Sequence, residues 1–230
     1  KKVLQDTLEM PLRQHRFSFA DSAKLPDEAE MERSVMAIMK KAALATLRMY
    51  RSVPEVINAA EWVSILDNLL RRDNIGLTTS AMALITGLAS HNHFAFEKLV
   101  PAVVNILTKL VIESSCPADY VYYRVPCPWL QARCLRFLQY FKEPEGEQWA
   151  TLSSVLLRIL TRGEAAHDSI NVQNTQYSLV FEAIALVVSW GPTDPRGDHY
   201  ELREMTHRLL GKYIAVNDAN VKYLALDMLS

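Results

Sequence analysis

Apolar residues recur along this chain at the spacing of one face of a helix. A smaller residue is followed four positions later by a large aliphatic one, and polar residues fill the positions between. This 3.6-residue period predicts amphipathic α-helices. The positions that start the series are Ala43 and Leu47, Ala81 and Ile85, Cys134 and Leu138, Val180 and Ile184, and Ala225 and Leu229.

A second amphipathic segment follows each of the first four. We predict these second helices over 59–72, 94–113, 147–162 and 200–215, with breaker-rich connectors between the pairs. The pairs recur every 38 to 53 residues, near the roughly 40–47 residues of helical solenoid repeats. Strand patterns are nearly absent. The prediction is an all-α fold, a right-handed α-solenoid of HEAT- or armadillo-like helix pairs.

The first 34 residues lack this period. Residues 13–32 combine Pro26 with several carboxylates, which predicts a long polar, acidic loop after the end of a truncated repeat. Residues 35–230 are expected to form about four to five repeats of one continuous trunk. The pattern runs into both ends of the sequence, so we expect the trunk to be truncated there.

An aromatic and proline-rich connector, residues 120–130, interrupts the helices. Its two prolines predict that 125–128 lie outside any helix, and an amphipathic helix follows at once. Tyr122, Tyr123 and Trp129 are either anchors for a partner or plugs between successive repeats. We favour the plug, in which the connector is a rigid joint and Trp129→Ala chiefly lowers the melting temperature. Core packing is likewise favoured for Trp62, Trp149 and Trp190.

Composition narrows the function classes. The net charge of −1 argues against a nucleic-acid binder, which needs a concentrated basic surface. Three cysteines without a CxxC pair favour a reducing, cytosolic setting. No apolar run approaches the roughly 20 residues that span a bilayer.

Candidate chemistry is sparse. His91 and His93, with His199 and His207, suggest a metal site, but no cysteine or carboxylate recurs at ligand spacing nearby. No nucleophile elbow, phosphate-binding glycine loop or Cys–His signature occurs, so we predict no enzyme activity, no metal and no cofactor. The Arg-Gly-Asp sequence at 196–198 is interpreted as a turn.

The candidate basic residues lie in two segments of the chain. Lys40, Lys41, Arg48 and Arg51 lie in the first predicted helix and are candidates for contact with anionic lipid head groups, although a solvated outer face is the favoured interpretation. Lys222 is a further basic candidate.

Four segments resemble the trunk of the alpha-adaptin family. The connector matches its pattern Asp-Tyr-x-Tyr-Tyr-x-Val-Pro-x-Pro-Trp-Leu, and the other segments are 40–51, 179–184 and 220–227. The residues that carry the connector signature are Tyr120, Tyr122, Tyr123, Val125, Pro126, Pro128, Trp129 and Leu130. The resemblance runs from about residue 35 to the end.

This resemblance implies a large subunit of a heterotetrameric clathrin adaptor, which collects cargo for endocytosis at the cytosolic face of the plasma membrane. Its expected partners are small sigma, medium mu and beta-type large subunits, with clathrin, cargo and anionic lipid reached through the whole complex. The alternatives are a gamma-type subunit of Golgi and endosome traffic, and an unrelated HEAT-repeat scaffold. The lysine-rich loop of many relatives corresponds here to residues 165–170, which lack lysine.

Overall fold

The computed structural model describes residues 6, 27–165, 169–191 and 200–229. The chain divides into two compact units, residues 1–99 and residues 100–230. Each unit is built from helices, and the described residues contain only two strands of two residues each. The predicted all-α class is therefore confirmed. None of the helices in the described ranges is long and apolar enough to cross a bilayer.

The first unit contains three α-helices and three short 3₁₀ segments in its described part. The α-helices are α1 (Glu28–Ser52), α2 (Val63–Leu70) and α3 (Ile75–Ala89), and the 3₁₀ segments are Pro54–Val56, Ala59–Trp62 and His93–Leu99. Helices α1 and α2 both pack against α3. Because Gly87 of α3 has no Cβ, the Leu47 side chain of α1 comes close to the α3 backbone. The small residue thus permits a close contact between α1 and α3.

Helix α1 begins earlier than the sequence indicates. Its first turn carries Glu28 and Glu30, whose negative charge is favourable at the N-terminus of a helix. The prediction of a loop as far as residue 32 is therefore wrong for residues 28–32. The rest of that predicted loop lies outside the described residues.

The second unit contains the remaining elements. These are α4 (Val100–Val111), a 3₁₀ turn (Ala118–Tyr120), β1 (Val121–Tyr122), β2 (Val125–Pro126), α5 (Pro128–Leu138), α6 (Gly146–Glu164), α7 (Ile170–Ser189), α8 (Tyr200–Ala215) and α9 (Ala219–Asp227). Helices α5 and α7 pack side by side, α6 contacts α4, α7 and α8, and α9 packs on α8. The second unit therefore has one row of α5 and α7 beside a row of α4, α6 and α8.

Two of the four predicted second helices begin with a 3₁₀ segment. The segment predicted at 94–113 is divided into 3₁₀ His93–Leu99 and helix α4, because Pro101 fits only in the first turn of an α-helix. The segment predicted at 59–72 begins as 3₁₀ before α2, a common form of helix N-terminus. Helices α6 and α8 lie where the pattern predicts them.

In the core of the second unit, an aromatic side chain packs against a glycine. Tyr213 of α8 is fully buried, and its hydroxyl donates a hydrogen bond of 3.2 Å to the Gly163 carbonyl of α6. The Tyr213 ring also contacts Tyr177 and Phe181 of α7, with centroids 5.1 and 5.3 Å away. Burial raises the pKa of the Tyr213 phenol, so it stays neutral and a donor. Three helices thus meet at Gly163.

We expect Gly163→Ala to destabilise the protein by about 1–3 kcal/mol, the usual cost of overpacking. A Cβ there would lie 2.6 Å from the Tyr213 hydroxyl and 2.8 Å from a methyl of Val180. The matched control is Gly211→Ala in α8, where a Cβ meets nothing within 4 Å. This control is expected to stabilise by about 0.5–1 kcal/mol. Urea unfolding of both variants measures the difference, and equal effects would contradict the packing described.

Candidate functional site

The connector between α4 and α5 forms a tight β-hairpin. Tyr122 pairs with Val125 across its end, so Tyr123 and Arg124 alone make the turn. Their φ angles are 45° and 65°, both in the left-handed region. Two positive φ values are the mark of a type I′ turn, in which Asn-Gly is the usual pair. Residues with side chains larger than those of Asn and Gly are strained at positive φ. The contacts around the hairpin therefore stabilise it against this backbone strain.

The side of the connector that faces inward supplies that support. Val125, Pro126 and Leu130 are buried within the second unit. Gln131 is fully buried, and its Nε2 donates a hydrogen bond of 2.5 Å to the Pro126 carbonyl. The Cys127 amide donates to the Tyr120 carbonyl at 2.9 Å, which lengthens the hairpin by one bond. The hairpin is therefore fixed to the start of α5.

The prediction that 125–128 all lie outside a helix is wrong for Pro128. This residue is the first of α5, a position that suits proline because its fixed φ is helical and its missing N–H needs no partner. The chain enters the helix through Cys127, whose φ of 40° is also left-handed. The helix thus begins one residue earlier than predicted.

The aromatic side chains of the connector face outward. Tyr120, Tyr122 and Tyr123 are about two-fifths exposed, and Trp129 is 58% exposed. Tyr122 contacts the rings of Tyr123 and Trp129, with centroids 4.5 and 4.8 Å away. Trp129 is exposed because its neighbours Pro128 and Leu130 occupy the buried face of the first turn of α5. As plugs between repeats, these aromatics would be buried, so that interpretation is wrong for Trp129.

The other tryptophans differ from Trp129. Trp62 is fully buried, which confirms core packing at that position. Trp149 and Trp190 are half-buried and contact each other edge to face, with centroids 5.8 Å apart. They lie against one another at the edge of the core rather than within it.

An open groove of about 540 Å³ begins at the aromatic cluster and runs between α5 and α7. Its lining on α5 includes Trp129, Arg133 and Arg136, and its lining on α7 includes Asn171 and Glu182. The Asn171 side-chain amide donates a hydrogen bond of 2.9 Å to the Tyr123 hydroxyl, which ties the hairpin to α7. The groove therefore has one aromatic and cationic wall and one wall of uncharged polar groups that ends in a carboxylate.

An ion pair closes the far end of the groove. Arg136 Nε lies 2.6 Å from Glu182 Oε1, and Arg136 Nη2 also pairs with that oxygen. Gln139 Nε2 donates to Glu182 Oε2 at 3.3 Å. The hydrogen bond to the Glu182 carboxylate raises the pKa of Arg136, so the guanidinium stays charged. These bonds fix the distance between the two walls.

The predicted basic residues fall into two separate places. Lys41, Arg48 and Arg51 are exposed on α1, and Lys40 is half-buried beside a cavity of about 310 Å³ that Asp73 also lines. Lys222 is half-buried on α9, in the second unit. Their role as lipid contacts stays a prediction.

Within the described ranges, the histidines and cysteines show no arrangement for catalysis. His91 packs edge to face on Tyr50, with centroids 5.4 Å apart, and His199 lies outside the described residues. Cys127 and Cys134 are buried, and burial raises the pKa of the Cys134 thiol, which disfavours the reactive thiolate. No group of three or more metal-ligating side chains comes together within the described part of the chain.

Sequence reasoning missed the α7 side of the groove. Asn171, Asn174 and Ser178 recur at helical spacing, but polar residues at this spacing on a helix normally indicate a solvated face. It also missed the turn at Tyr123 and Arg124, because neither residue is a typical type I′ residue. The two arginines of α5, Arg133 and Arg136, are exposed and lie away from its buried face.

Comparison with known proteins gives consistent matches. The family described as "Adaptin N terminal region" matches residues 28–230. The chain is 36% identical over 195 residues to the AP-2 complex subunit alpha-2 of Dictyostelium discoideum, covering 84% of this chain and 19% of that protein. It is 35% identical over 191 residues to the AP-2 complex subunit alpha-1 of Arabidopsis thaliana, covering 83% and 18%.

A relative of another type is more distant. The AP-4 complex subunit epsilon-1 of Mus musculus is 27% identical over 203 residues, covering 88% of this chain and 17% of that protein. The chain thus spans about a fifth of the length of the AP-2 alpha relatives it matches. The resemblance to alpha-adaptin is confirmed, and the family match begins at residue 28 rather than 35.

We expect Arg124→Gly to stabilise the protein by about 0.5–1 kcal/mol, because glycine adopts positive φ without the strain of a side chain. Arg124 is exposed, so little packing is lost. The control is Arg158→Gly in the middle of α6, where glycine is expected to destabilise by about 0.8–1 kcal/mol. Thermal and urea unfolding distinguish the two, and a loss of stability in Arg124→Gly would contradict the type I′ turn.

Proposed function

Since the chain belongs to the adaptin N-terminal region family, we propose that it is a non-enzymatic scaffold segment of a clathrin adaptor large subunit. It acts in the selection of cargo for clathrin-mediated endocytosis, a step of vesicle-mediated protein transport. The observation that carries this proposal is the family match over nearly all of the chain together with identity to AP-2 alpha subunits.

The architecture supports a scaffold. Rows of packed helices bury a shared core and leave broad side faces, which proteins of this type use to hold other proteins. In the part of the second unit that the structure describes, the groove between α5 and α7 carries hydrogen-bonding groups and exposed aromatics rather than a nucleophile beside a base. The groove therefore offers contacts for binding and no group activated for bond cleavage.

The proposed partners are the other subunits of a heterotetramer: a small sigma, a medium mu and a beta-type large subunit. The names of the AP-2 relatives support a multi-subunit complex of this kind. Clathrin and cargo are reached through the assembled complex. The proposed location is the cytosolic face of the plasma membrane and its coated pits.

Contact with anionic lipid is proposed at the level of the complex. Helix α1 carries five basic and no acidic residues from Arg33 to its end, and three of them are exposed near its C-terminal half. Each basic residue near an anionic surface contributes about 1 kcal/mol of attraction. The positive charge of α1 adds to any attraction to anionic lipid that the other subunits contribute.

Affinity purification of the tagged full-length protein from cells tests the adaptor proposal. We expect the small, medium and beta-type subunits in about equal amounts with the tagged protein, and clathrin in lower amounts. An unrelated helical-repeat protein with the same tag is the control. Recovery of Golgi-type adaptor subunits would favour the gamma-type alternative, and nuclear-transport cargo carriers or phosphatase subunits without adaptor subunits would contradict the proposal.

A further inference from the structure

We propose that the groove between α5 and α7 binds an extended peptide segment of a partner protein. The segment carries an apolar side chain and a carboxylate two positions apart. This inference rests on the groove itself and does not require that the chain act in an adaptor complex.

The apolar anchor is the exposed aromatic cluster at the mouth of the groove. Trp129 leaves 58% of its surface uncovered and is supported by Tyr122. Tyr122 is in turn supported by Tyr123, which accepts the hydrogen bond from Asn171. Large aromatics held rigidly on the surface provide contact area at little entropic cost and are enriched at the centres of protein interfaces.

The charge of the groove selects an acidic partner. Its lining contains two guanidinium groups, Arg133 and Arg136, against the single carboxylate of Glu182. The Glu182 side chain is only 17% exposed and is bonded to Arg136 and Gln139, so its charge is largely compensated. A carboxylate near Arg133 therefore enters a net positive site, and bonds between a guanidinium and a carboxylate are strong and directional.

The two-residue spacing between the apolar side chain and the carboxylate of the peptide follows from helix and strand geometry. Trp129 and Arg133 are one helical turn apart on the same face of α5, which is about 6 Å along the axis. In an extended chain, residues two apart point to the same side and lie about 6.6 Å apart. An apolar residue on Trp129 therefore places a carboxylate at Arg133 when one residue separates them.

The opposite wall suits an extended backbone. Asn174 and Ser178 are exposed on α7, and Asn171 precedes them on the same face. The Asn174 amide can both donate and accept, and the Ser178 hydroxyl, which donates to the Thr175 carbonyl at 2.8 Å, can still accept. Together they meet the alternating needs of an extended peptide chain. The contacts of Arg136 and Gln139 of α5 with Glu182 of α7 close the groove at its far end.

The probe is a fluorescein-labelled peptide of about twelve Gly and Ser residues with Glu-Ser-Phe at its centre, measured by fluorescence anisotropy with the full chain. Matched peptides carry Gln-Ser-Phe, Glu-Ser-Ser or Glu-Phe. We expect saturable binding of Glu-Ser-Phe and at least about fivefold weaker binding of each matched peptide, since one charge-assisted hydrogen bond or one aromatic contact is worth roughly 1 kcal/mol or more.

Variants locate the binding. Trp129→Ala, Arg133→Ala and the blocking variant Asn174→Phe, all at exposed positions, are each expected to weaken binding at least fivefold. The controls Tyr223→Ala and Arg158→Ala remove an exposed aromatic and an exposed arginine outside the groove lining in the same unit and are expected to change binding less than twofold. Melting temperatures verify that each variant is folded.

Three outcomes would overturn the proposal. One is the absence of saturable binding by any peptide. Another is binding that the groove variants and the controls reduce equally. The third is sedimentation with phosphatidylserine vesicles that Arg133→Ala abolishes while the peptide does not bind, since this would assign the groove to lipid. None of these results bears on which subunits co-purify with the full-length protein.

Discussion

The burial of one side of the connector determines where its other side lies. Val125, Cys127, Leu130 and Gln131 are almost completely buried, and Gln131 binds the Pro126 carbonyl directly. With these residues fixed, a two-residue turn is the only link left between β1 and β2, and it needs positive φ at Tyr123 and Arg124. The local strain is sustained by the surrounding core. The aromatics that remain are directed to solvent.

The buried residues of the connector also determine the shape of the groove. Pro128 starts α5 immediately after the buried turn, so Trp129 lies on the outer face of its first turn, and Arg133 and Arg136 continue that face. At the other end, Arg136 and Gln139 bind Glu182 and hold α7 alongside. A scaffold built in this way offers a surface whose groups are already in place before a partner arrives, which lowers the entropic cost of binding.

Much of the fold follows from periodicity. The four-residue spacing of apolar residues predicts α1, α3, α5 and α7, and the helices predicted at 147–162 and 200–215 correspond to α6 and α8. Boundaries are less accurate where two signals compete. Pro101 confines α4 to a start at Val100, and the carboxylates of 28–32, which resemble a polar loop, begin a helix because they favour its N-terminus.

The candidate site is harder to predict than the fold. The connector is conspicuous in the sequence, but its eight signature residues divide into an inward and an outward group. Only tertiary packing determines which of these residues face inward and which face outward. Val125 and Tyr122 face each other across the hairpin, yet one is buried and the other exposed. The groove also depends on Asn171 and Glu182, which lie more than 40 positions away from the connector and look like ordinary surface residues.

The central claim is that the connector supports the fold with one side and presents a binding surface with the other. Urea unfolding of the neighbouring variants Trp129→Ala and Leu130→Ala tests it most directly. Leu130 is fully buried, so its loss is expected to cost about 2–5 kcal/mol, whereas Trp129→Ala is expected to cost no more than about 1 kcal/mol. Equal losses of stability in the two variants would contradict this account and place Trp129 in the core.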